Sequence, residues 1–325
     1  MTGKVWTSIV AVVVDPFRPT QLAAVKAAAI AARSGAKLTL LNTFMIPQPT
    51  PEAVLGSTRQ IIASAKRQRL QALRKLAAKF ERRGIEVDCT VEWDYPVHEA
   101  VGRYVFEKKP DLVVAESHRH GRIVRWILAN TDWELIRACP CPLWLVRSPS
   151  LPAQPRVLVA VDPRHANEQP GRLDHHLLQA AGVIVDRFNG SVDIVHAWHK
   201  PATPERRKAA SDSARTKASK TSKTSKTSKT SLENVEGEVE RLALAHGIEQ
   251  DHCFVREGDT VDVLATTARQ RRTDIVVMGA VSRSLPARPV IGTTAERFID
   301  HIGCDVLIVK PAGFRSPVPR AHATL

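Results

Sequence analysis

Short apolar runs alternate with longer amphipathic stretches along most of the chain. The apolar runs are rich in Val, Ile and Leu and predict buried strands, whereas the amphipathic stretches predict helices. Strand–helix alternation with apolar strands is typical of a parallel sheet covered by helices on both faces. The predicted strands are 8–14, 37–44, 85–93, 111–115, 142–146, 156–161, 191–198, 248–255, 274–278 and 305–309.

The second half of the chain repeats the first. Residues 85–147 align with residues 248–310 at a constant offset of 163. Within these ranges Asp111 matches Asp274 and Cys141 matches Cys304, and the same offset pairs Gly84 with Gly247 just before them. The pattern predicts two tandem Rossmann-like domains, 1–149 and 150–325, each with a mostly parallel five-stranded sheet, packed as a pseudo-dimer. A proline-rich linker near 148–155 separates them.

Residues 274–311 read as strand, loop, helix and strand. Gly279 ends the first strand, and Gly292 precedes a capping box that begins at Thr293. Glycines at a strand end and at the next helix start suit an anion, because backbone N–H groups and the positive helix end favour phosphate. The same residues also allow a structural interpretation, in which Gly279 only ends a strand and Thr293 only caps a helix.

The first half has lost this pattern. At the offset of 163, Glu116 stands opposite Gly279, Arg119 opposite Ser282 and Ala129 opposite Gly292. A carboxylate there opposes a phosphate, and the loop without glycines cannot approach a ligand as closely. If either half binds a nucleotide phosphate through this loop, we expect it to be the second.

The formal charge of +14 is unevenly placed. Residues 200–232 hold ten Lys or Arg and two acids, a net of +8, and include four Lys-Thr-Ser repeats. The segment 201–232 has almost no apolar residues and is predicted to be a disordered insert. It is either a solvated loop or a nonspecific nucleic-acid contact; without aromatic residues, base stacking is not expected.

Other features exclude several classes of protein. An odd number of scattered cysteines, five in all, argues against a disulfide framework. Cys139 and Cys141 form a single C-x-C, too little for a convincing zinc site, so no metal is predicted. No apolar run is long enough to span a membrane, and the N-terminus lacks the features of a signal peptide, so we expect a cytoplasmic protein.

The motif G-x2-G-x9-G-[S/T] resembles the nucleotide loop of universal stress proteins. In this chain it reads Gly279, Ser282, Gly292 and Thr293. Three features are similar to the tandem-domain type of that family: the repeat itself, Thr131-Asp132-Trp133 in the first half, and the segment 292–296 followed by Cys304-Asp305 in the second. The resemblance covers both halves except the Lys-Thr-Ser insert.

The resemblance implies ATP or ADP binding in the C-terminal domain only. By position, adenine and ribose would lie near Val161, Asp162 and Ala197, with Asp162 accepting a hydrogen bond from a ribose hydroxyl. The phosphates would lie on Gly279, Ser282, Gly292, Thr293 and Thr294. Ser282 departs from the motif: it costs about 1 kcal/mol or more if that position needs positive φ, or it offers its hydroxyl to phosphate.

The resemblance also implies a role in surviving stress, including DNA damage. We expect a non-enzymatic protein that senses or stores adenine nucleotide, since no catalytic base or carboxylate pair is evident at the loop. The alternatives are a weak ATPase and a nucleic-acid-associated protein that uses 201–232. Either a homodimer or a pseudo-dimeric monomer is compatible with the repeat.

Overall fold

The computed structural model describes residues 6–45, 55–117, 130–163, 172–198, 224–279, 298–299 and 302–320. The strands are β1 (Ser8–Val12), β2 (Lys37–Phe44), β3 (Val87–Trp93), β4 (Leu112–Glu116), β5 (Leu143–Val146), β6 (Arg156–Ala160), β7 (Ser191–Trp198), β8 (Cys253–Glu257), β9 (Ile275–Gly279) and β10 (Asp305–Val309). The helices are α1 (Leu22–Ser34), α2 (Leu55–Glu81), α3 (Val97–Lys108), α4 (Asn130–Ala138), α5 (Leu173–Phe188), α6 (Thr224–Leu244) and α7 (Thr260–Gln270).

Over the described residues, the strands form one ten-stranded sheet in the order β3-β2-β1-β4-β5-β10-β9-β6-β7-β8. All neighbours within each half are parallel. The two halves meet at β5 and β10, which pair antiparallel with Leu307 opposite Trp144. The prediction of two five-stranded α/β units packed as a pseudo-dimer is therefore confirmed.

Side chains alternate between two core layers, one on each face of the sheet. Ile9 and Ala11 of β1 pack with α1, whereas Val10 and Val12 pack with α3 and α4. This alternation follows from the two-residue period of a strand, and apolar residues on both faces require helices on both faces. The carboxyl ends of the parallel strands in each half are thereby left as the edge at which a ligand can bind.

Buried polar contacts reinforce the junction between the halves. Lys26 on α1 lies 2.6 Å from a carboxylate oxygen of Asp305 on β10, and the two side chains are 3% and 2% exposed. The Trp144 indole N–H donates to the same oxygen at 2.9 Å. Beyond β10 the chain returns to the first half, where the Ser316 hydroxyl donates to Ala138 O at 2.6 Å.

The predicted start of one strand in the second half is wrong. The strand expected from residue 248 begins at Cys253, because Ile248 belongs to the end of α6. Its N–H donates to Ala243 O at 3.0 Å, directly after Gly247 at φ 69°, as in a Schellman motif. A short 3-10 helix, Gln250–His252, then precedes the strand.

The predicted disordered insert, 201–232, overlaps a helix. α6 begins at Thr224, so residues 224–232 are helical, while 201–223 lie outside the described residues. Adding residues to a helix that is already nucleated costs little, since each added residue forms its own backbone hydrogen bond. Low apolar content therefore did not prevent helix at this end of the insert.

None of the helices in the described part of the chain is long and apolar enough to cross a membrane.

Candidate functional site

The carboxyl ends of β6, β7 and β9 lie side by side in the second half. Val159 pairs with Val277, and Ala160 pairs with Val195. Val161 and Asp162 directly follow β6, Ala197 lies next to last in β7, and Gly279 ends β9. The fold thus brings four of the predicted site residues to one edge of the sheet.

Backbone and side-chain contacts hold Val161 in place. Its N–H donates to Val195 O at 3.0 Å. Its carbonyl lies 2.9 Å from Nδ1 of His196, a buried side chain that is 5% exposed. Because a carbonyl only accepts, this contact requires the proton on Nδ1. His196 therefore anchors the end of β6, and its place as a polar residue within an apolar strand was the available sequence signal.

Asp162 is tied to helix α5. Its backbone N–H donates to an Asp174 carboxylate oxygen at 3.2 Å. Asp174 is 6% exposed and lies in the first turn of α5, where a carboxylate is favoured by the positive helix end. The loop after β6 is therefore held against α5, with the Asp162 side chain only partly buried.

Gly279 has a packing role in addition to its predicted role. A Cβ at this position would come within 2.6 Å of Leu173 Cδ2, at the start of α5. Glycine therefore leaves room for Leu173 to pack over the end of β9, and a larger residue would make the Leu173 side chain shift. Because Leu173 and Gly279 are far apart in sequence, this contact is not visible in the sequence. A glycine at the end of a strand is therefore compatible both with a packing role and with close approach of a ligand.

The first half places different residues at the same edge. The strand pairing of Ile9 with Leu112 in the first half corresponds to that of Val157 with Ile275 in the second. The hydrogen bond from Val13 N–H to Leu41 O likewise corresponds to that from Val161 N–H to Val195 O. This register puts Val14 at the position of Asp162.

Asp15, which precedes a proline as Asp162 does, lies one residue later. Its carboxylate oxygen accepts from the N–H of Phe17 at 3.0 Å, which makes it a turn residue. Val14 is 49% exposed. The first-half edge therefore lacks a carboxylate at the place where the second half has Asp162.

The hydrogen bond between His196 and the Val161 carbonyl has a counterpart in the first half, made by Asn42, which is fully buried. The Asn42 amide Nδ2 donates to Val13 O at 2.7 Å and to Val14 O at 3.1 Å. The two halves thus fix the end of their first strand with different side chains. The hydrogen-bonded scaffold of the edge is shared, whereas the residues exposed at the edge differ between the halves.

The remaining predicted residues of the loop, Ser282, Gly292, Thr293 and Thr294, lie outside the described residues. Ala197 pairs with Arg256 of β8 across the sheet. In the described part of the chain, no group of three or more His, Cys, Asp or Glu side chains is placed to hold a metal ion.

Cys139 and Cys141 are close together in the first half, with their sulfurs 3.7 Å apart. The Cys141 thiol lowers the pKa of Cys139 by hydrogen bonding to it, and burial acts in the opposite direction. The same contact and burial raise the pKa of Cys141. The pair follows α4 directly and precedes β5.

Comparison with known proteins agrees with this architecture. The sequence profile of the universal stress protein family matches residues 7–147 and 155–310. Universal stress protein E of Photorhabdus laumondii is 27% identical over 319 residues, covering 95% of this chain and 97% of the relative. Universal stress protein E of Escherichia coli K12 is 27% identical over 320 residues, covering 94% and 95%.

Among solved structures, a protein of unknown function from Pseudomonas aeruginosa PAO1 matches with a TM-score of 0.68 at 21% identity. The match covers 94% of this chain and 93% of that chain, and it is a likeness of fold. The two matched regions span both repeats, as the sequence resemblance predicted. The chain therefore belongs to the universal stress protein family, in a tandem form with two family domains.

Proposed function

We propose that this chain is a stress-response protein whose C-terminal half binds adenine nucleotide, ATP or ADP. The observation that carries the proposal is the difference between equivalent edges. Asp162 and Gly279 stand in the second half where Val14 and Glu116 stand in the first. A carboxylate near the end of β6 can accept hydrogen bonds from ribose hydroxyls, and the edge beyond parallel strands is where such sheets bind ligands.

Charge separates the two halves further. Glu116 puts a carboxylate at the end of β4, where it would repel a phosphate, whereas Gly279 at the end of β9 carries no side chain. The motif residues Ser282, Gly292, Thr293 and Thr294 follow β9 in sequence and supply backbone and hydroxyl donors for the phosphates in this proposal. The first half is accordingly proposed to bind no nucleotide by this route.

The test is calorimetric titration with ATP of the wild type and two matched variants. Gly292→Arg fills the proposed phosphate position and should reduce ATP affinity at least tenfold. Ala129→Arg makes the same change at the equivalent position of the first half and should leave the affinity within twofold. Equal affinity in all three proteins would contradict the placement of the site, and circular dichroism checks that each variant is folded.

In the cell we assign the protein to the cytoplasm and to survival of stress, including DNA damage. A deletion strain tests this role by its survival after ultraviolet irradiation, compared with the same strain carrying the gene on a plasmid. Restored survival with the wild-type gene but not with the Gly292→Arg gene would link the role to nucleotide binding.

A further inference from the structure

Helix α2 carries a large share of the positive charge of the molecule. Residues 55–83 contain nine Lys or Arg and one acid, Glu81, a net of +8. The insert at 200–232 accounts for another +8, so the remaining residues hold 28 basic and 30 acidic side chains. All of the excess positive charge therefore lies in two segments, residues 55–83 and residues 200–232.

The cations of α2 face solvent. Leu73, Ala77 and Phe80 bury the opposite face of the helix against the sheet. Of the nine basic residues, Arg69 is partly buried. The other eight are exposed: Arg59, Lys66, Arg67, Arg74, Lys75, Lys79, Arg82 and Arg83. Between Arg67 and Lys79 the helix rises about 18 Å, a length over which duplex DNA carries about ten phosphate charges.

Few acids neutralise this surface. Among the described residues, the ion pair of an α2 side chain is that of Lys66 with Glu92, at 3.7 Å between exposed groups. Exposed pairs at this distance are weak. The rest of the exposed row keeps its charge available for an external anion.

A groove runs beside the same helix. It has a volume of about 410 Å³ and lies between α2 and the loop before α1. Lys75 and Lys79 line it from α2, and Phe17 and Arg18 line it from the loop. Phe17 is 58% exposed, with the Arg69 guanidinium 5.8 Å from its ring centroid. Cations beside an exposed aromatic ring are a combination used to bind nucleic-acid strands.

The equivalent helix of the second half has the opposite charge. Residues 61–81 of α2 hold six basic residues and one acid, whereas the equivalent residues 224–244 hold three basic residues and four acids. Both helices pack on the edge-side strands of their own half, so the fold alone does not demand basic residues there. The charge of α2 is a property of this half and not of the repeat.

We propose that α2 and its adjoining groove bind the phosphate backbone of nucleic acid. The opposite face of α2 is buried in the core, and its outer face, apart from Ile61, shows no large exposed apolar side chain among the described residues. A helix that binds membranes needs an apolar face to insert, so nucleic acid fits this surface better than an anionic membrane. The site is separate from the proposed nucleotide edge of the other half.

Fluorescence anisotropy with a labelled 20-base-pair duplex and a 20-nucleotide single strand, at several salt concentrations, tests the proposal. The triple variant Arg74→Glu, Lys75→Glu and Lys79→Glu should bind at least tenfold more weakly. The slope of log affinity against log salt concentration should become shallower by about 2 to 3 for this variant, since each lost phosphate contact contributes about 0.9 to the slope for duplex DNA.

The matched control places the same charge change in the insert: Lys217→Glu, Lys220→Glu and Lys223→Glu. We expect this variant to bind within threefold of the wild type. No wild-type binding, equal losses in both variants, or a loss in the insert variant alone would overturn it.

Two further measurements separate competing explanations. Cosedimentation with phosphatidylserine vesicles that is tighter than DNA binding would overturn the proposal in favour of a membrane surface. ATP titration of the α2 variant should match the wild type, so loss of nucleic-acid binding and failure of the proposed nucleotide site remain distinguishable. Circular dichroism confirms that the variants retain their helix content.

Discussion

At the scale of single residues, burial changes the protonation of a lysine side chain, Lys310. Lys310 follows β10 and is only 9% exposed. Its ammonium donates to Ile136 O and lies 4.7 Å from the ring centroid of Phe314. Burial lowers its pKa from 10.5 to about 8, although the neighbouring Cys139 acts to raise it. The side chain therefore loses its proton in the folded protein well before it does so in the unfolded chain.

This difference predicts a pH-dependent stability. Between about pH 8 and 10.5 the unfolded state still holds the Lys310 proton that the folded state has released, so the free energy of unfolding rises with pH. Relative to Lys310→Met, the wild type should gain about 1 to 3 kcal/mol between pH 7.5 and pH 10. Urea unfolding of both proteins under reducing conditions measures this gain. A wild-type-minus-variant difference that does not change with pH would refute it.

A one-residue difference shows the limit of sequence comparison at this scale. Both halves contain Asp-Pro after the first strand, which aligns Asp15 with Asp162. The sheet register instead aligns Val14 with Asp162. Hydrogen bonds between strands fix that register, and neither residue type nor spacing reveals it. The packing of Leu173 over Gly279 is likewise a long-range contact that the sequence does not show.

At the scale of elements, the pairing of β5 with β10 contains a charged group in an otherwise apolar core. Asp305 accepts from the N–H of Arg147 at 2.8 Å as well as from Trp144, and it faces the Lys26 ammonium. Asp305→Ala leaves that ammonium buried without its carboxylate. We expect the free energy of unfolding to fall by about 3 to 5 kcal/mol.

A surface pair gives the control for this prediction. Lys37 and Glu86 lie 2.8 Å apart, but Glu86 is 72% exposed, so Glu86→Ala should destabilise the protein far less than Asp305→Ala does. Chemical denaturation compares the two variants directly. Adding Lys26→Met to Asp305→Ala should recover part of the loss; similar costs for both single variants would contradict a special role for the buried pair.

Most elements could be predicted from sequence because their apolar runs end at strong breaking residues. β2, β7 and β10 have the predicted bounds. The start of β8 was missed because Ile248 looks like a strand residue, yet it completes the end of α6. The start of α6 was missed because composition alone does not show that a stable helix extends into a polar repeat.

At the scale of the whole molecule, one fold occurs twice with different surfaces. The continuous sheet makes the two halves a single structural unit, while their edges and outer helices have diverged. The second half keeps Asp162 and Gly279 at its edge, and the first half carries the basic α2. We infer that the two halves have different ligands, adenine nucleotide for the second half and the phosphate backbone of nucleic acid for the first.

The stoichiometry of ATP binding to the full chain, measured by calorimetry, tests this assignment of ligands most directly. With Val14 and Glu116 at the first-half edge, we expect one ATP for each chain. The first-half variant Ala129→Arg should keep that value. Two ATP molecules for each chain would show that the first-half edge is competent, and no binding would show that Asp162, Gly279 and the loop after β9 do not form a nucleotide site; either result would contradict the account.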